Sequence, residues 1–110
     1  MIIEKTWLID YRQAVFKGHF PDKPILPGVL IVAHLKATVS EYLGIPLRLL
    51  QVKKQKFVAP VIPDTELTIV VSRLEEQQDR FWVSYVANVP DGSKVAKGCV
   101  IFVRVDIASK

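Results

Sequence analysis

Along the first nine residues polar and apolar positions alternate loosely: Ile3, Trp7 and Ile9 stand against Ile2, Glu4, Thr6 and Leu8. A period of two predicts a first strand over Ile2 to Ile9, with Trp7 turned to the core. Asp10 to Phe16 predicts a short helical turn capped by Asp10. From Gly28 to Leu43 the pattern becomes helical. Val29, Leu30, Ile31, Val32 and Ala33 are apolar on every side, Leu35, Ala37, Val39, Tyr42 and Leu43 then alternate with polar residues, and Gly44 and Pro46 end the run. A helix apolar all round in its first half needs cover on all sides, and in a chain this short only a sheet wrapped about it can give that.

Four further strands are predicted near Gln51–Val58, Glu66–Leu74, Arg80–Val89 and Lys94–Val105. Pro60 to Asp64 makes a proline-kinked connection, Glu75 to Asp79 a charged hairpin loop, and Pro90-Asp91-Gly92-Ser93 a turn with glycine where positive φ is wanted. Short turns imply antiparallel neighbours. Phe81, Val83, Tyr85, Ala87 and Val89 share one face of their strand. In the last strand Ala96, Gly98, Val100 and Phe102 lie opposite Val95, Cys99, Ile101 and Val103, so both faces are apolar and the strand should be covered twice or lie centrally. Trp82, Tyr85 and Phe57 read as core aromatics, with a share in lining a ligand site left open. The expected fold is α+β, an antiparallel sheet around one central helix, in a single domain over residues 1–110.

Composition narrows the classes. The chain is 50% hydrophobic and 24% charged, which suits a globular protein; no apolar run reaches the ~18 residues of a membrane span, and the start does not read as a signal peptide, so the expected location is cytoplasmic. One cysteine, Cys99, can form neither an internal disulfide nor a metal cluster and reads as a small buried hydrophobe. The net charge of +4 favours an anionic partner. Lys53-Lys54-Gln55-Lys56 lacks interleaved aromatics and falls in a strand, which argues against nucleic acid and leaves a solvated strand or, with Arg48, a dock for an acidic protein. No Gly-x-Ser-x-Gly elbow is present, and the two histidines, His19 and His34, have no metal-ligand spacing to cysteine or carboxylate.

The chemistry concentrates in Gly18-His19-Phe20-Pro21-Asp22-Lys23-Pro24-Ile25-Leu26-Pro27-Gly28-Val29-Leu30. Three prolines stiffen the approach to an ionisable side chain. Pro27 suits a helix start, Gly28 permits close approach to the backbone, and the free N–H groups of Gly28, Val29 and Leu30 form a positive helix end beside His19. A base next to such donors is a plausible reactive centre.

This stretch resembles the signature of the hotdog-fold 3-hydroxyacyl-[acyl-carrier-protein] dehydratases, roughly Gly-His-Phe-Pro-Gly-x-Pro-x-x-Pro-Gly-Val-Leu. A second family-like run is Lys56-Phe57-Val58-Ala59-Pro60-Val61-Ile62-Pro63-Asp64, and the likeness extends to about Val105. The resemblance implies a hotdog fold that dimerises edge to edge, as a homodimer or with a second hotdog subunit. It implies removal of water from a 3-hydroxyacyl thioester on an acyl carrier protein, in fatty-acid or polyene-type synthesis, with no cofactor or metal. Position by position, His19 matches the catalytic histidine and Gly28 the glycine whose N–H binds the thioester carbonyl. Phe20, Pro27, Val29, Leu30, Ala33 and Phe57 fall in the implied substrate site.

Two positions depart from the family pattern. Asp22 stands for a glycine, and Ala33, six residues after Pro27, stands where the family carries a helix carboxylate. Glu41 is two turns on and about 80° around the helix, so it cannot substitute; His34 is adjacent but about 100° around, a candidate second acid or a hydrogen-bonded helix histidine. Three readings follow: dehydration with His19 making both proton transfers, an acyl-binding subunit completed by a partner that brings the carboxylate, or an acyl thioesterase.

Overall fold

The computed structural model describes residues 3–10, 28–62 and 64–105. The turn expected over residues 10–16 falls, apart from Asp10, outside them. Five strands and one helix follow in the order β1 (Ile3–Ile9), α1 (Gly28–Leu43), β2 (Leu47–Phe57), β3 (Thr65–Gln77), β4 (Arg80–Asn88) and β5 (Lys94–Arg104). The strands make one antiparallel sheet in the order β1-β3-β4-β5-β2. β5, apolar on both faces, lies between β4 and β2, the central place that was one of the two its pattern allows. Among the described residues no helix is long and apolar enough to cross a membrane.

The helix stops where its residues compel it. Gly44 takes a left-handed φ of 72°, and its N–H donates to Ser40 O at 2.8 Å, satisfying a carbonyl that the last turn leaves open. The hydroxyl of Ser40 donates to Ile45 O and folds the chain into Pro46 and β2. Ile31, Leu35 and Val39 are buried along one stripe against Ile69, Val83, Tyr85, Val100 and Phe102 of the sheet. The helix is not covered all round: Val29 is 70% exposed and Ala33 is exposed. Apolar residues on that face signal a surface left open within the single chain rather than one enclosed by its own sheet.

Four other expectations change. Glu75, Glu76 and Gln77 belong to β3, so the hairpin shrinks to Gln78 and Asp79, whose φ values of 53° and 64° give the tight left-handed turn that suits the twist of the strands. Cys99 is only partly buried. Phe57 is 50% exposed and not a core aromatic. β2 also begins earlier than its pattern predicts, because its register with β5 slips between Leu49 and Gln51 and again between Val52 and Lys54. Each bulge adds an unpaired residue, Leu50 and Lys53, and hides the period of two.

Candidate functional site

Of the residues singled out in the sequence, His19, Phe20 and Pro27 lie outside the described residues. The described remainder gathers at the first turns of α1. Gly28 opens the helix, and the ring of Phe57, at the end of β2, lies against it. A Cβ at position 28 would meet the ring's Cζ and both Cε atoms at 2.8 Å or less, so only glycine admits this packing. The first N–H groups of the helix have no partner within it and present a positive end beside the aromatic ring. Val29 and Ala33, four residues apart, share the exposed side of the helix, while Leu30 is partly buried. The strip continues onto the sheet edge, where Leu49, Leu50, Val52 and Val58 are exposed.

His34 does not join that face. Its Nδ1 is 2.7 Å from Leu30 O, and because a carbonyl only accepts, Nδ1 carries the hydrogen and donates. The ring meets Trp7 of β1 edge to face, with centroids 5.2 Å apart. Trp7 Nε1 donates to Thr38 Oγ1 at 3.0 Å, and Thr38 Oγ1 donates to His34 O at 2.8 Å. Lys5 Nζ lies 4.5 Å above the Trp7 ring and 2.5 Å from a carboxylate oxygen of Glu41. Glu41 is thus engaged with β1, well away from Ala33.

The lysine run of β2 divides by face. Lys54 pairs with Cys99 and Lys56 with Lys97 of β5, so Lys54, Lys56 and Lys97 stand on the side of the sheet away from the helix. With Ser84, Val86 and Cys99, and with Gln55, Tyr85 and Gly98 of the same strands, they line a groove of about 670 Å³ that has no carboxylate among its lining residues. Lys53, the bulge residue, places Nζ 5.5 Å over the Trp82 ring. Gln55 faces the other way. Its Nε2 donates to the hydroxyl of the buried Tyr85, and burial pushes the Tyr85 pKa up, partly offset by that hydrogen bond. The sequence reading missed this pair; the signal was a glutamine in an inward register opposite Gly98. Among the described residues no group of three or more His, Cys, Asp or Glu is placed to hold a metal ion.

Comparison with known proteins gives this arrangement a context. Residues 2–98 match the family model described as ApeI-like, ApeI dehydratase. The 3-hydroxyacyl-[acyl-carrier-protein] dehydratase FabZ of Herpetosiphon aurantiacus is 32% identical over 105 residues, which cover 89% of this chain and 74% of that protein. The FabZ of Thermotoga petrophila is 40% identical over 88 residues, covering 76% of this chain and 64% of that protein. Among solved structures, the dehydratase heterocomplex ApeI:P from Xenorhabdus doucetiae superposes with a TM-score of 0.78 at 19% identity, over 94% of this chain and 88% of that one. A 1,4-dihydroxy-2-naphthoyl-CoA thioesterase from Synechocystis superposes at 0.72 with 11% identity, over 97% and 84%. These last two likenesses establish the fold as hotdog.

Proposed function

We propose, from the premise that this chain belongs to the ApeI-like dehydratase family, that it eliminates water from a 3-hydroxyacyl thioester held on an acyl carrier protein. The observation that carries this reading is the helix start itself, where Gly28 lies against the Phe57 ring beside an open apolar face. The thioester carbonyl accepts from the Gly28 N–H, which steadies the negative charge that develops on its oxygen. His19 takes the proton from C2, the C2–H electrons form the C2–C3 double bond, and the C3–O bond breaks. The protonated His19 returns that proton to the departing hydroxyl, so that enoyl thioester and water are the products. The lysines of the outer groove, Lys54, Lys56 and Lys97, supply charge complementary to an acidic carrier.

A second reading rests on the exposed Ala33. A neighbouring hotdog subunit whose helix carries a carboxylate could complete the pair across this face, and the ApeI:P heterocomplex is a structural neighbour built from two subunits. Mass spectrometry of the purified chain on 3-hydroxyacyl carrier protein tests both. The first reading expects loss of water by wild type and a fall of about 10²–10⁴-fold in His19→Ala. Wild type that is inert alone but active with a carboxylate-bearing subunit, or after Ala33→Glu, supports the second. Release of free thiol would instead make the chain a thioesterase.

A further inference from the structure

Tyr85, Gly98 and Gln55 form one row across three strands: Tyr85 pairs with Gly98 on β5, and Gly98 pairs with Gln55 on β2. Residues paired in this way present their side chains on the same side of the sheet, here the side that buries Val83, Ala87, Ala96 and Val100 beneath the helix. With no side chain on the middle strand, the tyrosine ring reaches across β5 and the glutamine folds inward to meet it. A Cβ at position 98 would stand 2.5 Å from Lys54 O and 2.6 Å from Gln55 Oε1, so the glycine makes room for the neighbouring backbone and for the carboxamide together. The Gln55 Nε2 is spent on the Tyr85 hydroxyl, yet Oε1 is buried and has no hydrogen-bond partner among the described residues. Desolvating a carbonyl oxygen without replacing its bond to water is unfavourable, so the pair is built to receive a donor that the described residues do not provide.

The position indicates which donor. Gln55 and Phe57 are two residues apart on β2 and share a face, which sets them ~6.6 Å apart along the strand. Phe57 lies on Gly28, the amide assigned to the thioester carbonyl. In a 3-hydroxyacyl thioester the hydroxyl oxygen is four bonds from the carbonyl oxygen, a span of the same order. We infer that Gln55 is a substrate-positioning residue whose Oε1 accepts the hydrogen of the substrate's 3-hydroxyl, held in place by Tyr85. The inference rests on the acyl-thioester reading of the site. A carboxamide cannot supply the proton that the hydroxyl needs to leave, so Gln55 orients the leaving group: its acceptor takes the hydroxyl hydrogen and leaves the oxygen's lone pairs free for the acid. Burial keeps Tyr85 in its neutral form near pH 7, so it persists as the partner of Gln55.

The test measures binding of two non-reactive pantetheine thioethers, one bearing the 3-hydroxyl and one without it, to wild type, Gln55→Leu and Tyr85→Phe, with thermal melts to confirm folding. Wild type is expected to prefer the hydroxylated compound about tenfold, the size of one well-made hydrogen bond. Gln55→Leu should lose that preference while binding the deoxy compound as wild type does, and Tyr85→Phe should reduce it. A preference unchanged in Gln55→Leu, or no preference in wild type, overturns the inference and leaves the acyl-thioester reading standing. Binding of neither compound to folded wild type removes the acyl-thioester reading and this inference with it.

Discussion

The two long sides of α1 are held in opposite ways. Toward β1 the helix is fastened by directional contacts: Trp7 to Thr38, His34 to its own Leu30 and against Trp7, Lys5 to Glu41. Toward β2 and the sheet edge there is one aromatic contact, Phe57 on Gly28, and then exposed Val29 and Ala33. One side positions the helix, and the other leaves an apolar face open. The ionisable groups follow the same division. His34, the candidate second acid in the sequence, is occupied in fastening, and so is Glu41, which its place on the helix already excluded.

That division can be broken from either side. Trp7→Ala should cost about 3 kcal/mol in chemical denaturation, since it removes a partly buried aromatic together with the Thr38 and His34 contacts. Any loss of turnover should track the fraction unfolded. Gly28→Ala should do the reverse, lowering kcat/KM about 10²-fold by driving Phe57 off the amide, while stability changes little because the ring is already half exposed.

A third test uses pH. The folded chain holds the Tyr85 proton more tightly than the unfolded chain, whose tyrosine titrates at its ordinary value of 10.0. Stability from this group is therefore complete below pH 10 and declines as the pH rises from there through the higher folded value, by at most ~1.4 kcal/mol per pH unit. Tyr85→Phe should flatten that alkaline slope in urea midpoints measured from pH 9 to 11. Lys5→Ala should have the smallest effect, under about 1 kcal/mol, because the pair with Glu41 is substantially solvent-exposed. A larger loss would mean that the cation over Trp7 contributes more to the fastening than the ion pair does.

Much of this was legible in the sequence, and the failures have physical causes. The ends of α1 followed from the change of period and from Gly44, and the interior place of β5 from its two apolar faces, because both signals are local. The start of β2 was not legible, since two bulges break the alternation that marks a strand. Phe57 read as core because an aromatic in a strand usually is, and its actual neighbour, Gly28, is fixed only by the tertiary arrangement. The Gln55–Tyr85 pair was hidden for a related reason: it spans three strands and depends on the absence of a side chain at Gly98. The His19 loop was read from its motif, and it remains the part of the candidate site carried by sequence alone.

The bulges of β2 bear on how relatives of different length should be aligned. Leu50 and Lys53 have no cross-strand partner on β5, whereas Leu49, Val52, Gln55 and Phe57 keep one side of the strand and Lys54 and Lys56 the other. A chain lacking either extra residue would revert locally to plain alternation without turning the rest of the strand over. Single-residue gaps belong at positions 50 and 53; a gap placed between 54 and 57 would exchange lysines for Gln55 and Phe57 and equate residues that face opposite sides of the sheet.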